Sequence, residues 1–373
     1  MKKTYLGLYF LFLSYQLFGQ QKDLTAQLES INYQKALPGF AVAIVTPDSI
    51  MYAKGFGFAD VALKKPFTDQ TILNIGSVSK TFIGVALAKA IQDGQLSLDD
   101  DINKYLPFKV VHPYYPETAI TVRHLVTHTS GILDREKEYE KAYIKQVQDS
   151  VEINPFLEAY LSKKGRTYSK KNFGKYKPGT KQAYSNIGST LAALVLEGAT
   201  KQSFNAYTQQ HIFEPLNSQN TNWFFKDVEL SRHAILYTSK QKVVPLYTLL
   251  TYPDGGLKSD LADLSLYLQE MLKGYNGTGK VLTNEAYSLL FQPQFTDSFT
   301  PVGINPKEPN IGLFWVHRSN GELGHTGSDP GVSTFMFFNP VTRKGRIFIT
   351  NTQLDEAEQV QVFTQIWKLL GEY

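Results

Sequence analysis

Apolar residues fall along this chain in two rhythms. Pro38-Gly39 introduces Phe40 to Val45, a Pro47-Asp48-Ser49 turn follows, and Ile50 to Gly57 continues with β-branched and aromatic residues, a pattern that predicts an antiparallel hairpin. Ahead of it, Leu24 to Tyr33 has the spacing of an amphipathic helix. From Ser77 the period lengthens. Helices are predicted over Ser77 to Gln92 with Gly94 as a stop, Thr121 to Thr127, Ser189 to Gly198 and Leu261 to Leu272. Strand-like runs return at Ile311 to Val316, Glu322 to Gly327, Gly331 to Phe338 and Gly345 to Thr350, before an amphipathic helix over Glu356 to Leu370.

Early strands, a helical middle and late strands predict an α/β (α+β) architecture. An antiparallel sheet flanked by helices is built from both chain ends, with a mainly helical domain inserted between them. The expected division is residues 21–76 with 300–373 for the sheet and 77–299 for the helices, with the active site at their junction, where ligands commonly bind.

Length and composition fit one large or two interlocked domains: 373 residues, 42% hydrophobic and 19% charged. A net charge of +4 does not call for a nucleic-acid partner, and no nucleic-acid motif is present. Lys2 and Lys3 precede an apolar run from Tyr5 to Phe18 that is short for a membrane span and reads as a signal peptide over residues 1–20, cleaved near Gly19 or Gln20. The expected destination is therefore the periplasm or the exterior, with no stable membrane anchor after cleavage. The chain contains no cysteine, which excludes a disulfide framework, a lipid-attachment thiol and thiol catalysis. Lys163 to Lys181 holds eight basic residues and no acid, the composition of a solvated loop or of an electrostatic funnel for an anionic substrate.

Candidate chemistry centres on Asn74-Ile75-Gly76-Ser77-Val78-Ser79-Lys80-Thr81-Phe82. Three apart on a helix, Ser77 and Lys80 share a face a turn apart, so the amine nitrogen reaches the hydroxyl. The positive helix N-terminus and burial disfavour a charged ammonium there, which equips Lys80 as a base for Ser77 and favours the oxyanion of acyl transfer. A second Ser-x-x-Lys, Ser239 to Lys242, sits in a polar turn with no helix to align it and reads as coincidence. Two further motifs occur once each. In Tyr184-Ser185-Asn186, a phenol next to a cation suits proton relay to a leaving group, and the Asn186 amide suits a substrate amide. In His325-Thr326-Gly327, the missing side chain of Gly327 is expected to let substrate lie against a strand.

The order Ser-x-x-Lys, Tyr-x-Asn, His-Thr-Gly resembles the serine β-lactamase and penicillin-binding protein superfamily, in particular its class C β-lactamase and DD-peptidase branch. The resemblance covers nearly the whole mature chain and includes Pro38-Gly39-Phe40, Gly55-Phe56-Gly57, Arg123 to Gly131 and Asp254-Gly255-Gly256-Leu257. It implies that Ser77 is the acylated nucleophile, that Lys80 and Tyr184 share acid and base work, and that Asn186, His325, Thr326 and Gly327 contact substrate. The backbone N–H groups of Ser77 and Ser328 would form the oxyanion hole. No cofactor or metal is implied.

His325 departs from the Lys that most β-lactamases of this kind carry. Lysine is a permanent anchor for a substrate carboxylate, whereas histidine, with a pKa near 6.5, is partly charged at neutrality. His here is similar to certain DD-carboxypeptidases, D-amino-acid peptidases and esterases of the branch. The expected activity is D-alanyl-D-alanine carboxypeptidase-like or D-amino-acid peptidase-like hydrolysis of a small-molecule or peptide substrate, including peptidoglycan-derived peptides. Carboxylesterase or weak β-lactamase activity is the alternative, and a non-catalytic penicillin- or peptide-binding module is the alternative of another class. His124 and His128, four apart, have the spacing of a metal pair but lack an accompanying acid. No Gly-x-Ser-x-Gly elbow occurs.

Overall fold

The computed structural model describes residues 21–373, and the predicted signal peptide lies outside the described residues. A helix over residues 21–32, α1, precedes strands β1 (Gly39–Val45), β2 (Ile50–Asp60) and β3 (Lys65–Pro66). Five more strands follow late in the chain: β4 (Asn310–Ile311), β5 (Val316–His317), β6 (Leu323–Asp329), β7 (Val332–Asn339) and β8 (Lys344–Thr350). Together they form one eight-stranded sheet in the order β4-β5-β6-β7-β8-β1-β2-β3. Its named pairs are antiparallel, and the two chain ends meet where β1 pairs with β8, Phe40 opposite Thr350 and Val45 opposite Gly345.

Every residue of β1 is buried, because both faces of the sheet are covered. Ala41, Ala43 and Val45 join the main core with the helical region; Phe40, Val42 and Ile44 face the other way into a second core with Leu24 and Leu28 of α1 and Val362 and Ile366 of α7 (Ala357–Glu372). The strand period of two thus feeds two cores from one run of apolar residues.

On the main-core side lie α2 (Ser79–Gln92), α3 (Val122–Val126), α4 (Asn186–Thr200), α5 (Leu261–Tyr275) and α6 (Asn284–Phe291). Eleven of the 14 residues of α2 are buried, so it is apolar all round, as a helix enclosed by others must be. The expected strand over Ile311 to Val316 is instead the tight hairpin β4–β5. Phe314 takes a left-handed φ of +58°, and Leu313, Phe314 and Trp315 plunge into the core. The apolar run is a buried turn and not one extended strand.

Candidate active site

The helix expected to start at Ser77 starts at Ser79, because Gly76–Val78 forms one 3-10 turn ahead of it. Gly76 adopts φ +54°, and a Cβ there would lie 2.9 Å from the Ser328 nitrogen. Glycine therefore serves both the left-handed backbone and the close approach to β6. Despite the shift, Ser77 and Lys80 remain on one face. The Lys80 ammonium, fully buried, donates to Ser77 Oγ at 2.9 Å, to Asn186 Oδ1 at 2.7 Å and to the Asp254 carbonyl at 2.5 Å. Two of these partners are oxygen acceptors only. In the amine form both hydrogens go to them and the lone pair faces Ser77, the arrangement a base requires.

Tyr184 donates to the same Ser77 oxygen at 2.8 Å, and its ring centroid lies 5.0 Å from the Lys80 nitrogen. The segment carrying Tyr184 and Asn186 is held by residues that the sequence did not single out for this purpose. Ser185 caps α4 through its own hydroxyl, which accepts from the Gly188 N–H at 2.9 Å. Asp134 accepts from the Ser185 hydroxyl at 2.7 Å, the Asn186 N–H at 2.6 Å and the Ile187 N–H at 3.1 Å. The carboxylate lies at a helix N-terminus, where negative charge is favoured, although burial raises its pKa. No local signal marks Asp134, which is some fifty residues away in sequence.

His128 follows α3 in a left-handed conformation, φ +56°, so it does not share a helix face with His124. The two imidazoles have separate tasks. His124 Nδ1 accepts from the Thr121 N–H in a capping box, and His128 Nδ1 accepts from the Ser185 N–H at 3.2 Å. The Tyr184 ring packs on His128 with centroids 4.4 Å apart. Burial, with the charge of Lys80 behind it, holds His128 well below its usual pKa.

His325 lies on β6 and is buried. Its Nδ1 donates to the Thr326 carbonyl at 2.5 Å, and Nε2 has no partner. Burial, then the nearby Lys80 charge, pushes its pKa down to about 4. At pH 7 this favours the neutral imidazole over the partly charged ring that an ordinary histidine pKa implies. Gly327 lies against the start of the Ser77 turn: a Cβ there would lie 2.1 Å from the Ile75 carbonyl and 3.1 Å from the Ser77 nitrogen. Its missing side chain makes room for the turn that carries Ser77. That contact brings the N–H groups of Ser77 and Ser328 into one corner.

Behind Lys80 are two more buried acids. Asp254 accepts from the Tyr139 hydroxyl at 2.9 Å and the Thr190 hydroxyl at 3.0 Å, and burial pushes it up to about 6 against the pull of Lys80. Asp329 accepts from the Tyr143 hydroxyl, keeps its other oxygen without a partner, and is pushed up to about 7 by burial.

A cleft of about 520 Å³ is lined by Ser77, His128, Tyr184, Asn186, His325, Thr326 and Ser328, together with Gln182 and residues of the 303–311 stretch. Ser239 and Lys242 are elsewhere, in the turn of a small hairpin. The basic residues between Lys163 and Lys181 are exposed, and none lines the cleft.

The sequence profile of the family described as Beta-lactamase matches residues 19–370. The chain is similar to the beta-lactamase of Escherichia coli K12, 26% identical over 368 residues that cover 90% of each protein. It is 26% identical over 357 residues to penicillin-binding protein 4* of Bacillus subtilis 168, covering 91% of this chain and 74% of that one. Protein flp of Staphylococcus aureus MW2 is 25% identical over 338 residues, and the match spans 63% of its length. Among solved structures, the fold resembles a beta-lactamase/D-alanine carboxypeptidase from Yersinia pestis complexed with citrate. Its TM-score is 0.73 at 21% identity, covering 93% of this chain and 99% of that one.

Proposed function

The chain belongs to the beta-lactamase family, within the serine β-lactamase and penicillin-binding protein superfamily, and from that premise we propose that it is a serine hydrolase acylated at Ser77. One observation carries the reading: a single hydroxyl oxygen lies 2.9 Å from the Lys80 nitrogen and 2.8 Å from the Tyr184 hydroxyl. Ser77 Oγ attacks a substrate carbonyl and its proton passes to Lys80. The resulting oxyanion is received by the N–H groups of Ser77 and Ser328. Tyr184 delivers a proton to the departing nitrogen or oxygen, and Lys80 returns the one it took. Water then enters along the same path and frees Ser77. Asn186, tied to Lys80 at 2.7 Å, holds the amine in place and offers its amide nitrogen to substrate.

The substrate class follows from charge. A carboxypeptidase must hold a terminal carboxylate, yet among the described residues no Lys or Arg lines the cleft and His325 is neutral. This favours D-amino-acid peptidase-like cleavage of amides that do not end in a carboxylate next to the scissile bond. Esterase action is the second reading, supported by the same lack of an anchor. An exported enzyme with cell-wall-derived peptides as substrates agrees with the amino-terminal sequence, and no described helix is long and apolar enough to cross a membrane. Intact-mass analysis after parallel incubation with a fluorophosphonate, a penicillin and a D-alanyl-D-alanine peptide tests the reading. An adduct on Ser77 is expected with the fluorophosphonate. Folded protein that forms no adduct with any probe would instead be a binding module.

A further inference from the structure

The hydrolase reading places a carbonyl at Ser77 but leaves open what the loop-built wall of the cleft recognises. That wall is built from residues 303–311, and Glu308 is the lining residue with a formal charge at neutral pH, since the other titratable groups there are neutral imidazoles and the Tyr184 phenol. The ion pairs formed among the described residues do not engage its carboxylate. We propose that Glu308 is a cation subsite of the catalytic cleft, which selects substrates carrying an ammonium or similar cation close to the scissile acyl group.

Glu308 is half-buried on a loop tied down from several sides. Its own N–H donates to the Asn305 carbonyl at 2.8 Å, and the carbonyl of Lys307 accepts from the Ser319 N–H at 2.9 Å. Val302 bridges to Lys181, its N–H donating to Thr180 and its carbonyl accepting from Gln182, each at 2.9 Å. Asn310 fixes the other end, accepting from the Phe295 N–H at 2.9 Å and donating to the Phe295 carbonyl at 2.7 Å. The backbone that carries the carboxylate is thereby fixed, and only the Glu308 side chain has to be ordered on meeting a ligand.

Two cations border the wall without serving it. Lys181 runs beside Gly303, but its ammonium sits over the Tyr176 ring, 5.3 Å from the centroid, and Lys307 is exposed outside the lining. Lys80 is sealed beneath Ser77 by three acceptors. An incoming cation therefore meets a carboxylate with no internal partner. An incoming carboxylate meets that same negative charge and nothing to neutralise it, and such like-charge opposition discriminates against the wrong ligand.

The test uses the full chain and two matched substrate pairs, one with the charge on the acyl side and one with it on the departing side. They are D-alanine 4-nitroanilide against its N-acetyl derivative, and acetylcholine against 3,3-dimethylbutyl acetate. The readout is the ratio of kcat/KM for the cationic over the neutral member. For at least one pair, Glu308→Gln should lower that ratio by about tenfold or more, chiefly through KM, and Glu308→Lys should lower it further. Unchanged ratios in both variants, for both pairs, would overturn the subsite. Fluorophosphonate labelling separates the two levels of the argument. Labelling of Ser77 in Glu308→Gln with an unchanged ratio removes the subsite alone, whereas failure of the wild-type protein to label removes the hydrolase reading and the subsite with it.

Discussion

Two stretches of this chain carry Ser-x-x-Lys, and they differ in almost everything but spacing. Ser77 stands in a 3-10 turn that runs directly into α2, with Lys80 fully buried and 2.9 Å from its hydroxyl. Ser239 stands in a hairpin turn closed by the Thr238 N–H donating to the Lys242 carbonyl at 2.8 Å, with Gln241 at φ +58° and Lys242 exposed. In the first copy the amine is buried and has three protein acceptors. In the second, water is the amine's solvent and the serine carbonyl is occupied by the Gln359 amide at 2.8 Å. Spacing permits the encounter of hydroxyl and amine, but burial and competing partners decide whether it becomes chemistry.

The largest expected effect tests that contrast directly. Ser77→Ala should abolish the fluorophosphonate adduct seen by mass spectrometry, while Ser239→Ala labels like the wild type; label on Ser239 would invert the assignment. Next in size is the base. Arginine keeps the charge but does not give up a proton at usable pH, so Lys80→Arg should slow acylation by at least about a hundredfold, against no change for Lys242→Arg. A near-normal rate in Lys80→Arg would move the base role to Tyr184.

A smaller effect concerns the frame around the first copy, which the second lacks. Asp134→Ala removes three hydrogen bonds at the start of α4 and should cost on the order of 2 kcal/mol in denaturant unfolding, with slower acylation because Tyr184 and Asn186 lose their hold. Stability and rate both unchanged would show that Ser185 alone suffices as the cap. The smallest is an expected constancy. Because burial pushes His325 down to about 4, the pH profile of inhibition by a D-alanyl-D-alanine peptide should be the same in wild type and His325→Gln from about pH 5.5 to 8.5, with Asp254 and Asp329 titrating alike in both. Weakening as pH rises through 6.5 in the wild type alone would reveal an imidazolium in the complex. The sign for folding runs the other way. Between about 4 and 6.5 the unfolded chain binds a proton that native His325 does not, so its contribution is complete above 6.5 and is lost as pH falls towards 4.

What the sequence disclosed and what it hid divide along physical lines. The all-buried β1, the helical α5 and the approach of Ser77 and Lys80 have signatures within a few residues, an unbroken apolar run, a helical period and a fixed offset, whereas the joining of Tyr184 and Asn186 to them is implied by the family resemblance. Asp134 has none, because its partners become neighbours only when α4 packs. The charge state of His325 is likewise a property of its surroundings, since a histidine on a solvated strand would titrate normally. Gly327 marks a close approach in the sequence, but the contact with Ile75 depends on the folding of a turn far away along the chain. The split of Ile311 to Val316 was hidden because a buried turn and a buried strand are equally apolar.

The pairing of β1 with β8 sets a schedule for the growing chain. The Thr350 hydroxyl donates to the Gly39 carbonyl across 311 residues, so the hairpin β1–β2 is synthesised early and keeps an open edge until nearly everything else exists. The serine, lysine and tyrosine are likewise made long before Ser328 arrives on β6. Pairings that distant are slow to find, because loop closure must come before any contact rewards it. A nascent chain therefore carries Ser77 and Lys80 without the Ser328 amide, and the proposed site is complete only with the last strands.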